Sequence, residues 1–151
     1  MKTLSGDLLR LAVEGRFDVI VHGCNCHCQM GKGIALAVKR QFPEAYAADC
    51  RTTKGDIAKL GTMSFAEIDR DGHVFHIVNG YTQFDWRGNG VKADYEAIRS
   101  VMKTVRETFP GKRIGYPRIG AGLAGGDWQV IRAIIEEELA GEDHTYVEYA
   151  A

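Results

Sequence analysis

Apolar residues change their spacing several times along this chain, and each change marks a different element. Residues 17–22 form a continuous, β-branched apolar run, the pattern of a strand buried on both faces. Ile34, Ala35, Val38 and Phe42 then recur at helical spacing up to Pro43, which predicts a helix over residues 32–42, and residues 44–51 predict another. Residues 62–68 alternate in strand fashion, Asp71-Gly72 is a hairpin signal, and residues 73–79 return as the second strand. Tyr95, Ile98, Val101, Met102 and Val105 share one face of a helix predicted over residues 92–109. Residues 112–116 read as a strand, 127–139 as a helix and 145–149 as a final strand. At the start, residues 1–4 form a short strand, and Asp7 suits the N-cap of a helical turn over residues 8–13. Helices alternating with strands, plus one hairpin, predict an α/β fold whose mixed sheet is covered by helices on both faces. No repeat or linker interrupts the 151 residues, which fit a single domain.

Composition narrows the class. Apolar residues make up 45% and charged residues 26% of the chain, ordinary for a globular protein. With 19 Lys and Arg against 20 Asp and Glu, the formal net charge is −1, unlike the basic footprint of a nonspecific nucleic-acid binder. No apolar run approaches the roughly 20 residues of a membrane span, and no signal-peptide pattern opens the chain. A cytoplasmic protein with no membrane partner is expected. Cys24, Cys26 and Cys28 alternate, with Cys50 further on. They lack the paired spacing of common zinc sites, so they read as reduced thiols serving as small apolar residues along a strand end and loop. Neither a metal nor a cofactor is expected.

Two glycine-rich stretches carry the candidate chemistry. Met30-Gly31-Lys32-Gly33-Ile34-Ala35 follows the first buried strand, and Gly120-Ala121-Gly122-Leu123-Ala124-Gly125-Gly126 follows the strand at 112–116. A helical stretch comes after each. Glycine lets backbone amides approach an anion closely, and a helix N-terminus adds unpaired N–H groups and a positive dipole end. Two such loops at strand carboxyl ends predict a ligand with more than one phosphate. Lys32 fits either phosphate neutralisation or an exposed helix start. No Gly-x-x-x-x-Gly-Lys-Ser/Thr occurs, so this is not a P-loop enzyme.

Together with Gly6-Asp7-Leu8, with Gly23-Cys24-Asn25 and with Pro117-Arg118-Ile119, these loops resemble the macrodomain family, ADP-ribose-binding α/β/α modules, over nearly the whole chain. The resemblance implies a three-layer fold on a mostly six-stranded mixed sheet. It assigns Asp7 to the adenine amino group with the Leu8 backbone beside it, and Asn25 to the distal ribose. It places Gly31, Lys32, Gly33 and Ile34 around the diphosphate and distal ribose from one side. Amides of Gly120, Ala121, Gly122, Leu123, Ala124 and Gly125 would face the diphosphate from the other.

Family branches include readers of ADP-ribose, hydrolases of ADP-ribosyl linkages and phosphatases of ADP-ribose 1″-phosphate. Cys24-Asn25-Cys26 with Gly31–Ala35 is similar to the phosphatase-like branch. Pro117–Gly122 is similar to the branch that removes ADP-ribose from glutamate, which has an aspartate where this chain has Ala124 and uses a lysine nucleophile. Residues 79–87 and Gly126-Asp127-Trp128 resemble antitoxins that strip ADP-ribose from DNA, whose essential lysine falls at Gln83 here. Glutamine is neither nucleophile nor base, so a covalent lysine route is poorly supported. Ala124 also replaces an aromatic side chain near the distal ribose, which implies a roomier pocket. His27 and Asp127 remain as candidate acid–base groups beside Asn25, with loop and N-cap roles as their structural alternatives. The favoured expectation is hydrolysis of ADP-ribose 1″-phosphate to ADP-ribose and phosphate. A non-catalytic reader, or a hydrolase acting on protein or DNA, is the alternative, and nucleic acid enters only as an ADP-ribosylated substrate.

Overall fold

The continuous apolar run becomes β2 (Val19–Cys24), near the centre of a six-stranded sheet. In this computed structural model, which describes residues 1–150, the strand order is β1-β6-β5-β2-β4-β3. The strands are β1 (Lys2–Gly6), β3 (Met63–Arg70), β4 (His73–Tyr81), β5 (Ile114–Tyr116) and β6 (His144–Tyr149). All neighbours run parallel except β3, which pairs antiparallel with β4 through the hairpin at Asp71-Gly72. Asp71 and Gly72 adopt φ of 53° and 83°, the positive pair that a tight hairpin turn requires.

Alternation along β2 decides which helices cover which face. Val19 and Val21 pack with α4 (Tyr95–Thr108) and α5 (Trp128–Glu138), in a core that includes Ile98, Val101, Met102, Ile131 and Ile135. Ile20 points the other way, into a second core with α1 (Leu8–Val13), α2 (Gly33–Gln41) and α3 (Pro43–Cys50) through Leu9, Ala12, Val38, Phe42 and Ala45. The result is the expected three-layer α/β/α arrangement. Among the described residues, no helix is long and apolar enough to cross a membrane.

Helix starts follow the capping residues. Asp7 accepts hydrogen bonds from the Leu9 and Arg10 amides, Asp94 from Ala97 and Asp127 from Gln129. Pro43 occupies the first turn of α3, where its missing N–H costs nothing. One correction matters for function. The helix predicted over 92–109 starts only at Tyr95, because Asp94 caps it, and this leaves Lys92 in the preceding loop.

Candidate functional site

Five parallel strands end on the same edge of the sheet, and the loops after β2, β4 and β5 enclose a cleft of about 480 Å³ there. The first wall runs from Gly23 to Ala35, the second from Thr82 to Lys92 and the third from Pro117 to Ala124. Both glycine loops predicted from sequence therefore face one space. Of the middle wall, the sequence singled out Gln83 through the resemblance of residues 79–87, while Lys92 was not predicted as part of the site.

Asn25 organises the first loop. Its Nδ2 donates to the Gln29 carbonyl at 2.9 Å, and its Oδ1 accepts from the His27 amide at 2.9 Å. This buried amide lines the cleft and also fixes the turn that shapes it. His27 does not line the cleft. Its ring packs edge-on against Phe84 and Trp86, with centroids 4.8 and 5.7 Å away, and its Nε2 lies 3.8 Å from Asp85. It is a half-buried packing residue behind the wall, not a solvent-facing loop histidine.

Beneath the loop lies an anchor that sequence reasoning missed. Lys59 is only 7% exposed; its Nζ donates to the Cys26 carbonyl at 3.1 Å, lies 3.7 Å from Cys28 Sγ and sits over the Tyr81 ring. Tyr81 is fully buried and donates to Asp49 at 2.8 Å, while burial pushes the Asp49 carboxyl up. Cys24 and Cys26 are buried and behave as apolar residues, and burial raises both thiols. Cys50 differs from expectation, since it is exposed at the end of α3. Among the described residues, no three His, Cys, Asp or Glu side chains are placed to hold a metal ion.

The second glycine loop is held by close approach. Gly126 packs so tightly that a Cβ there would lie 2.6 Å from the Gly120 carbonyl oxygen and 2.8 Å from Ile131. Gly120 itself has φ of 73°, a conformation other residues rarely adopt. Leu123 is 77% exposed and reaches across to the first loop, its Cδ1 3.4 Å from where a Gly33 Cβ would stand. The Ala124 carbonyl accepts hydrogen bonds from the Lys92 and Ala93 amides at 2.7 and 3.3 Å, which ties the middle wall to this loop. Ala121 and Gly125 belong to the loop but do not line the cleft.

Asp7, Leu8 and Asp127 stand apart from the cleft lining. Leu8 is buried in the core under α1, and Asp7 caps that helix beside the end of β6, where Gly6 pairs with Tyr149. A shallow hollow lined by Pro117, Arg118, Tyr146 and Tyr149 continues from the cleft toward this end. Asp127 is exposed, with one carboxylate oxygen used on the α5 cap and its amide donating to the Tyr95 hydroxyl. Trp128 packs 4.8 Å from the Tyr146 ring rather than on the cleft.

Electrostatics give the site its character. Lys32, Lys92 and Arg118 line the cleft, and no Asp or Glu does. The nearest acidic candidate, Asp85, is gripped by Arg87, with contacts of 3.0 and 2.8 Å that hold its carboxyl well below the usual range. Gln83 lines the cleft where the resemblance looked for lysine, and its Nε2 donates to the Asp85 carbonyl at 2.9 Å. The arrangement is built to receive a polyanion against backbone amides and cations. It offers no carboxylate to act as general base.

Known proteins carry the same architecture. The Macro domain family profile matches residues 21–135. An uncharacterized 17.5 kDa protein from Enterobacteria phage T4 is 36% identical over 141 residues, covering 90% of this chain and 88% of the phage protein. A DNA ADP-ribosyl glycohydrolase of Mycobacterium tuberculosis is 33% identical over 83% of this chain, which spans only 34% of that enzyme's length. The solved macrodomain of Mycobacterium tuberculosis DarG superposes with a TM-score of 0.75 at 27% identity, covering 100% of this chain and 98% of that one. A mixed six-stranded sheet between two helical layers, a glycine-rich cleft at its strand ends and a profile match across most of the sequence agree: this chain belongs to the Macro domain family.

Proposed function

We propose that this chain binds ADP-ribose in the three-walled cleft and hydrolyses a bond at C1″ of its distal ribose, with ADP-ribose 1″-phosphate as substrate. One observation carries the reading: the cleft gathers two glycine loops and three cationic side chains without a single carboxylate. The diphosphate lies between the Gly31–Ile34 loop and the Gly120–Ala124 loop, where amide donors suit a dianion. The adenosine extends along the hollow past Arg118 toward Asp7, which accepts from the adenine amine while still capping α1. Asn25 holds the distal ribose and the attacking water in place.

The lining also limits the chemistry. With Gln83 in place of a lysine and no carboxylate base in the lining, catalysis rests on positioning a water against C1″, which lowers the barrier through prepaid entropy. Such a site favours a leaving group that departs as an anion without needing a proton. Phosphate meets that condition, and with a second pKa of about 6 its own oxygens accept the water's proton. The products are ADP-ribose and phosphate.

A second reading follows from the relatives. The 33% identity to a DNA ADP-ribosyl glycohydrolase favours ADP-ribosylated DNA as the substrate. That linkage leaves from a less acidic group and demands more help than Gln83 provides. Purified protein assayed side by side on ADP-ribose 1″-phosphate, ADP-ribosylated DNA and ADP-ribosylated protein separates the readings. Phosphate release above the rate of a Gly122→Glu control is expected. Turnover of DNA alone would replace the phosphatase reading, and tight ADP-ribose binding with no turnover would leave a reader.

A further inference from the structure

We infer that Lys92 forms a separate anion subsite, the one that receives the negatively charged substituent on C1″. The inference rests on the proposed binding of ADP-ribose in the cleft and adds a residue and a selectivity to it.

Three observations converge on this side chain. First, Lys92 lines the cleft from the middle wall, and its backbone amide is bonded to the Ala124 carbonyl at 2.7 Å. That bond fixes it to the tip of the second glycine loop, in the same cleft that Asn25 lines. Second, the neighbouring side chain is only a methyl group. Ala124 is buried, and the large side chain of this loop tip, Leu123, reaches toward Gly33 on the first loop rather than toward Lys92. Third, the Lys92 ammonium has no carboxylate partner among the described residues. Its Nζ donates only to the carbonyls of Asn89 and Gly90 within its own loop. The other cation of that loop, Arg87, is consumed by Asp85.

A lysine held by two neutral carbonyls has a third N–H to offer. Carbonyl contacts orient it without neutralising it. The diphosphate accounts for two negative charges, and Lys32 and Arg118 line the first and third walls of its cleft. A third cation on the middle wall, beside Ala124, matches a third anionic group on the distal ribose. A phosphate or a carboxylate at C1″ supplies one; a neutral glycoside does not. Lys92 is therefore a positioning and selectivity residue for the departing anion, not a nucleophile.

The test uses two ligands: ADP-ribose, and a hydrolysis-inert analogue carrying a carbon-linked phosphonate at C1″. Calorimetric titration gives the ratio of their affinities. The wild type is expected to favour the phosphonate, and Lys92→Ala to lower that ratio about tenfold or more, the loss of one charge-assisted hydrogen bond. Lys92→Arg should restore most of the preference, and added salt should erode it in the wild type more than in Lys92→Ala. An unchanged ratio in Lys92→Ala, with ADP-ribose still bound, overturns the subsite while the cleft assignment stands. A wild type that binds neither ligand overturns both together.

Discussion

Gly122 and Gly126 are four residues apart and answer to different physics. No atom lies within 4 Å of a Cβ built on Gly122, so a side chain there meets only the cleft. Gly122→Glu is expected to fold with a melting temperature near that of the wild type while losing ADP-ribose binding at least a hundredfold. A carboxylate among the phosphate-facing amides repels the ligand and occupies its volume. At Gly126 the same Cβ meets the Gly120 carbonyl at 2.6 Å, inside the contact distance of real atoms. Gly126→Ala should lower stability by about 1–3 kcal/mol through overpacking, read as a shift in the urea midpoint. Sequence reasoning placed both glycines in one anion-binding loop and had no means to separate them. Only the path of the chain shows that one faces the open cleft and the other faces backbone. His27 and Asp127 illustrate the same limit. Their residue types suit acid–base work, yet the ring packs edge-on behind the wall and the carboxylate caps a helix.

Strands and helices were far more legible than side-chain roles, because their signals are local. β2 came from a β-branched run, α4 from a single apolar face, and the β3–β4 hairpin from Asp71-Gly72. The misplaced start of α4 has a local cause too: apolar periodicity runs on through the cap, so Asp94 rather than the pattern sets the boundary. A property of the sheet itself was not legible. His22 on β2 is fully buried, its Nε2 2.7 Å from Asn79 Oδ1 on β4, and Cys24 is its other polar neighbour. Burial pushes its pKa down to about 4 against the contact with Asn79, which raises it. The unfolded chain therefore binds a proton in a range where the folded one does not. Stability from this group is complete above the ordinary histidine pKa of about 6.5 and is lost progressively as pH falls toward 4. A loss of roughly 3 kcal/mol is expected across that window. Urea denaturation of wild type and His22→Gln at pH 7 and pH 5 checks it. The wild type should weaken on acidification, and the variant should show a smaller change, the remainder including His144, which burial also pushes down. Asp18, held down to about 2 by Arg113, acts only below that window.

At the scale of the whole molecule, the charge distribution matters more than the total. A formal net charge of −1 gives no long-range attraction for an anionic ligand. Lys2, Arg10, Arg70, Arg87, Arg99, Arg113 and Arg132 all face carboxylates across the surface, so much of the positive charge is spent locally. Lys32, Lys92 and Arg118 have no such partners among the described residues, and all three line the cleft. Attraction for a dianion must then be short-ranged and confined to that space. Salt tests this directly, since the screening length shrinks from about 10 Å at 0.1 M to about 3 Å at 1 M. Over that range ADP-ribose affinity should fall several-fold by calorimetry at fixed pH, while the weak binding of uncharged adenosine should stay level. The backbone amides lie in contact with the diphosphate in the proposed pose and are screened less, so affinity should decline without vanishing. Salt-independent binding of ADP-ribose would assign recognition to the glycine-loop amides alone and remove Lys32 and Arg118 from it. A collapse to no binding would show that the amides contribute little, against the role argued for both loops.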